Sequence, residues 1–201
     1  MLRVNRILCN ILATALEFAT ASSDFVKLAD TAISTAVSSV SFDGYYTSDY
    51  DVYKLYIFDV NTSNDQSSSV VNWRFRSSNA DLTTNNYFSV MAGANMNSSG
   101  SGVSSDGVFG SNKSTISFNN LEGDASYTFD AEITIYNPLN TSFRKTMQFV
   151  TRSWHDNANN QYHRNGSVSY NENNNAHSGF SIFPEGGNFD TGRFVLYGIK
   201  S

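Results

Sequence analysis

The sequence predicts an all-β protein, an antiparallel β-sandwich of jelly-roll type carrying a short N-terminal helical or extended arm. Three observations predict it. Apolar and polar residues alternate with period two along several segments, as in Val71-Asn72-Trp73-Arg74-Phe75-Arg76. Clusters of Asn, Ser, Gly and Asp separate those segments, with no helix-period stretch between them. Aromatic residues make up 14% of the chain, and large rings fill the space between two sheets efficiently.

The first residues are the exception to period two. Val4, Ile7, Leu8, Ile11, Leu12, Ala15 and Leu16 recur at helical spacing, while Arg3, Arg6, Asn10 and Glu17 fall away from that stripe. Arg3, Arg6, the apolar stretch and Ala19-Thr20-Ala21 also mimic a secretory signal, but Asn10 and Glu17 interrupt it. The same interruptions make it unfit to span a membrane. The expectation is a retained docking or oligomerising arm over residues 1–24, with an unprocessed signal peptide or an ordinary core helix as the alternatives, followed by one sandwich domain over 25–201.

From Ile33 onward, strands are expected at Val37 to Phe42, Val52 to Val60, Val71 to Arg76, Tyr87 to Ala92 and Thr115 to Phe118. Others are expected at Tyr127 to Ile135, Phe143 to Thr151, Ser167 to Tyr170, Gly179 to Phe183 and Arg193 to Ile199. Val71, Trp73 and Phe75 share one face and the two arginines the other; in the 127–135 segment Asp130 and Glu132 face water. Turn clusters fall at Asn61 to Ser69, Asn95 to Gly107, Asp156 to Asn160 and Asn171 to Asn175. About ten short strands separated in this way describe a sandwich or barrel. No internal repeat argues for a propeller or solenoid.

Composition excludes several functions. A length of 201 residues suits one well-buried core. Charged residues are 15% and the net charge is −5, so the clustered basic surface that duplex binding needs is missing. One cysteine, Cys9, gives neither an internal disulfide nor a Cys-based zinc site.

Candidate catalytic and metal-binding residues carry no enzyme signature either. His155, His163 and His177 lie in or beside Asn-rich loops, outside any metal-binding spacing, and read as solvated loop residues. A hydrolase triad could be assembled from His155, Asp156 and one of the many serines in the chain, but no G-x-S-x-G elbow supports it. Asp130 and Glu132 are of the type glycosidases use, yet their i, i+2 spacing is that of a plain solvent-facing strand. Asp49, Asp51 and Asp59 form no calcium loop, and Ser98-Ser99-Gly100-Ser101-Gly102 carries no P-loop lysine. No catalytic, metal or cofactor-binding residue is expected, and the chain is expected not to be an enzyme. Tyr45, Tyr46 and Tyr50, beside Tyr53 and Gly44, and Trp154 are candidate glycan-stacking aromatics, with core or subunit interface as the alternative. Asn-x-Ser/Thr triplets at Asn61, Asn97, Asn140 and Asn165 are what chance gives in so Asn-rich a chain.

Two end segments carry a resemblance. Asp24-Phe25-Val26-Lys27-Leu28-Ala29, then Ile33 to Phe42 and Tyr50-Asp51-Val52-Tyr53, open the domain; Gly187-Asn188-Phe189-Asp190 and Phe194 to Lys200 close it. Together they resemble small virion structural or tail-fibre-like proteins of tailed bacteriophages, notably marine and cyanobacterial ones. The resemblance implies a jelly-roll-like domain, a structural or host-attachment role and a homotrimer, and it brings no catalytic motif. The arm is not part of it. The expected function is a non-enzymatic tail-associated fibre or receptor-binding appendage anchored by the arm. A head decoration protein, a lectin-like carbohydrate-binding module and a polysaccharide-degrading enzyme are the alternatives. Expected partners are other tail or capsid proteins and a host surface glycan, with no nucleic acid and no membrane insertion. The expected location is the virion, an extracellular particle assembled in the host cytoplasm.

Overall fold

The computed structural model describes residues 24–63, 70–96, 103–120, 127–155 and 160–200. Every regular element among them is a strand. In chain order these are β1 (Phe25–Ile33), β2 (Val40–Asp43), β3 (Val52–Thr62), β4 (Val70–Ser77), β5 (Ala80–Asp81) and β6 (Tyr87–Met96). There follow β7 (Val103–Lys113), β8 (Ile116–Asn120), β9 (Phe129–Tyr136) and β10 (Lys145–His155). The last are β11 (Asn160–Tyr170), β12 (Gly179–Pro184) and β13 (Phe189–Ile199).

Two antiparallel sheets form an all-β, jelly-roll-like sandwich. The larger has eight strands in the order β1-β13-β3-β9-β10-β11-β6-β7. The smaller has the order β2-β12-β4-β5, with β8 also pairing β4. Alternation decides which side chains enter the core. Along β9 burial switches at every residue, sending Phe129, Ala131, Ile133 and Ile135 inward. On β3, Tyr53, Leu55 and Ile57 are buried while Val52, Lys54 and Tyr56 are only half covered. On β4, Trp73 and Phe75 are fully buried, and Arg74 and Arg76 stand on the other face.

The space between the sheets is filled by rings. Trp73 stacks on Phe180 of β12 at 4.2 Å, and Phe180 stacks on Phe42 of β2 at 5.0 Å. Buried Tyr87 satisfies its hydroxyl by donating to the Leu82 carbonyl and accepting from the Phe75 amide, both at 2.9 Å. Burial raises that hydroxyl's pKa far above the usual range. Outside the core, Arg76 pairs with Asp43 and Asp81, joining three segments of the smaller sheet.

Tight turns hold the registers. Ser78 and Asn79, at φ 50° and 62°, join Ser77 to its partner Ala80, the geometry of a two-residue hairpin of type I′. In β13, Gly192 sits at φ 135° within a bulge, where an added Cβ would meet Val60 Cγ2 at 2.5 Å.

Several expectations are corrected. β1 lies ahead of the first expected strand, and its irregular burial pattern hides it from a period-two search. β7 begins inside the Asn95 to Gly107 turn cluster, and it and the first half of β11 cover Gly-, Ser- and Asn-rich residues for which no strand is expected. The Asn95 to Gly107 cluster contributes to both β6 and β7. β11 is paired over its whole length by β10 and β6, so backbone hydrogen bonds from both sides hold a stretch without strand propensity. The arm residues Val4, Ile7, Leu8, Ile11, Leu12 and Leu16, and with them Cys9, lie outside the described residues. No helix among the described residues is long and apolar enough to cross a membrane.

Candidate functional site

The inward face of the eight-stranded sheet is closed by the smaller sheet; its outward face is open among the described residues. Strand register arranges that face in rows. One row runs Lys27, Tyr197, Lys54, Thr134, Gln148, Ser167, Val90 across β1, β13, β3, β9, β10, β11 and β6. The next runs Asp30, Val195, Tyr56, Glu132, Val150, Asn165, Ala92 across the same strands. These positions share a face because paired residues in a ladder point the same way.

A trough of about 800 Å³ runs over these rows, lined by Lys54, Glu132, Thr134, Tyr136, Gln148, Val150 and Val90 among others. A second depression of about 650 Å³ adjoins it and shares Val90, Tyr136, Gln148 and Ser167. Val90 and Val150 are 47% and 46% exposed, high values for aliphatic side chains on strands paired on both sides.

Polar contacts on this face are made mostly within it. The Tyr136 hydroxyl donates to Gln148 Oε1 at 2.9 Å. The Lys54 ammonium donates to Glu132, and that contact pushes the lysine pKa up. Arg152 holds Asp130 through Nε at 3.1 Å and Nη2 at 2.5 Å, which raises the arginine likewise. At the β1 end, Arg193 and Lys27 clamp Asp30, and their hydrogen bonds hold its carboxyl well below the usual carboxylate range. Phe25, Tyr197, Tyr56 and Phe58 make a run of ring contacts across the same end, from 4.4 to 6.1 Å between centroids.

The residues singled out in the sequence fall in different places. Tyr46 is a core residue, 8% exposed, packed on Tyr53 at 4.7 Å. Tyr45 and Tyr50 pack against the same core, Tyr50 lying over Gly198. Trp154 stands on the open face at the far end of β10, 38% exposed. Asp130 and Glu132 are on the open face, each engaged by its cation. His163 sits on that face opposite Arg152.

His177 corrects the solvated-loop expectation. It is 2% exposed, packed on Phe75 at 4.7 Å and Tyr170 at 5.6 Å, with no partner for either ring nitrogen among the described residues. Burial, helped by the charge of Lys145, holds its pKa down to about 3. Among the described residues no cluster of His, Cys, Asp and Glu could hold a metal ion. Asp51 precedes β3 while Asp59 lies in the bulge near its other end, so they do not form one site.

Sequence reasoning missed Lys54, Thr134, Tyr136, Gln148, Ser167, Val90 and Val150. Each is an outward residue of an alternating strand and carries no motif. The available signal was alternation itself, which marks outward positions without saying which strands become neighbours.

No protein-family model matches the chain, and no curated protein matches it. Among solved structures it is similar to an alginate lyase of polysaccharide lyase family 7, at 11% identity and TM-score 0.25, over 81% of this chain and 66% of that one. It is also similar to a marine family-14 alginate lyase from Aplysia kurodai, at 9% identity and TM-score 0.29, over 81% and 80% of the two chains. A lectin from Bauhinia forficata, solved with GalNAc, aligns at 8% identity and TM-score 0.26 over 82% and 79%. These likenesses concern the fold alone. One expectation is corrected here: the non-enzyme reading rested on missing motifs, and two of these similar structures are lyases, so it does not stand.

Proposed function

We propose that the chain is a surface protein of a tailed-phage virion, displaying its sandwich so that the open face of the eight-stranded sheet meets the surroundings. The observation that carries the reading is the pairing of the two end segments on which the resemblance rests. β1 and β13 lie side by side, with Phe25 opposite Ile199 and Lys27 opposite Tyr197, and β13 continues onto β3. Gly198 of the closing segment lies under the Tyr50 ring of the opening one. Segments from the two chain ends thus form one structural unit at a sheet edge, beside the point where residues 1–24 join the domain. Paired surface charge and a polar, Asn-rich exterior suit a protein that works outside a cell.

Mass spectrometry of purified particles tests this reading, joined to deletion of residues 1–20. The intact chain is expected in the particle, and the truncated chain is expected to fold and fail to incorporate. Absence of the intact chain from purified particles overturns the assignment, and normal incorporation of the truncated chain overturns the anchoring role of the arm.

A further inference from the structure

We infer that the trough on the open face of the eight-stranded sheet binds a stretch of uncharged polysaccharide. This deepens the display reading by naming what the displayed face recognises, and it rests on that reading only for where the encounter takes place. Size comes first. Two adjoining depressions, of about 800 Å³ and about 650 Å³, each fall within the size range of ligand sites.

Chemistry narrows the class. The floor interleaves hydrogen-bonding groups, Thr134, Gln148, Asn165 and Ser167, with exposed aliphatic ones, Val90 and Val150. A sugar chain presents the same mixture: hydroxyls around each ring edge and C–H groups on each ring face. Because Tyr136 donates to Gln148 Oε1, the Gln148 amide nitrogen keeps two donors and the tyrosine oxygen keeps acceptor capacity toward the trough.

Charge excludes the acidic alternatives. The charged residues lining the trough are Lys54 and Glu132, and they neutralise each other in a direct ion pair. Further along the sheet, Arg152 is likewise committed to Asp130. A uronate, sulfated or nucleic-acid chain would have to break one of these pairs and bring its own charge beside the released carboxylate. An uncharged polyol meets no such penalty.

The test measures binding of the full-length chain to neutral gluco-, galacto- and manno-oligosaccharides, with oligouronates and a sulfated glycan alongside, by glycan array and then calorimetry. At least one neutral oligosaccharide is expected to bind, with affinity falling about ten-fold or more in Gln148→Ala. Val150→Glu, which places a second carboxylate opposite Glu132 on the floor, is expected to abolish binding while keeping a cooperative thermal melt. No binding across the neutral set overturns the inference, as does tighter binding of uronates or unchanged affinity in both variants. Sedimentation showing that the open face is buried against a second copy, released by Val150→Glu, also overturns it. Particle incorporation of the same variants separates the two readings. Variants that incorporate but lose sugar binding support the site, whereas absence of the parent chain from particles removes the virion reading and leaves the sugar result intact.

Discussion

The Tyr136 hydroxyl donates to Gln148 Oε1 at 2.9 Å, a diagonal contact between β9 and β10 in the middle of the open sheet face. Its exposure makes it a poor source of stability, since water replaces either partner readily. Tyr136→Phe is therefore expected to change unfolding free energy by less than about 0.5 kcal/mol. Urea denaturation checks this, and a loss well above that size would show the contact to be structural.

Lys145 is 1% exposed, and its ammonium donates to the carbonyls of Asn140, Phe143 and Asn174, the last two at 3.0 Å. One side chain thus ties together the two loops that flank β10 and β11. Lys145→Met keeps the apolar stem but leaves three carbonyls without their donor. The expected cost is about 2 kcal/mol or more, read as a lower urea midpoint at unchanged slope.

His177 makes stability depend on pH. Its folded pKa, about 3, lies below the ordinary 6.5. Above 6.5 both folded and unfolded states hold a neutral ring and the group adds no pH dependence. Below it the unfolded chain takes up a proton that the folded one refuses, so stability falls with decreasing pH by at most about 1.4 kcal/mol per unit. Thermal melts between about pH 5 and 6.5 should show this slope, before most carboxylates titrate. His177→Phe keeps a ring beside Phe75 and Tyr170, removes two unpartnered nitrogens, and is expected to flatten the slope. An unchanged slope in that variant would move the cause elsewhere.

Gly198 lies against Tyr50 so closely that an added Cβ would fall 2.6 to 2.8 Å from ring carbons. Gly198→Ala is expected to destabilise the domain by about 1–3 kcal/mol through overpacking. Tyr50→Ala in the same background should recover part of that loss, and a double-mutant cycle measures the coupling. Strict additivity would mean that the ring does not oppose the new methyl group.

How much was legible follows from which residues carry their own signal. Trp73 and Phe75 declared an inward face, and Arg74 and Arg76 an outward one, because alternation in a strand is a local property. β7 and the polar half of β11 were silent, since Gly, Ser and Asn are held there by neighbouring strands and not by propensity. His177 looked like a loop residue among asparagines and became a core residue because the chain around it folds over Phe75.

By itself, then, the sequence determined the all-β class, the sandwich and the inward faces of its clearest strands. Tertiary structure alone decided which residues share the open face. Lys54 meets Glu132 across a separation of 78 residues, and Tyr136 meets Gln148, only because the order β3-β9-β10-β11-β6 brings those strands side by side. Periodicity is written residue by residue; adjacency between strands is set by the packing of the whole chain.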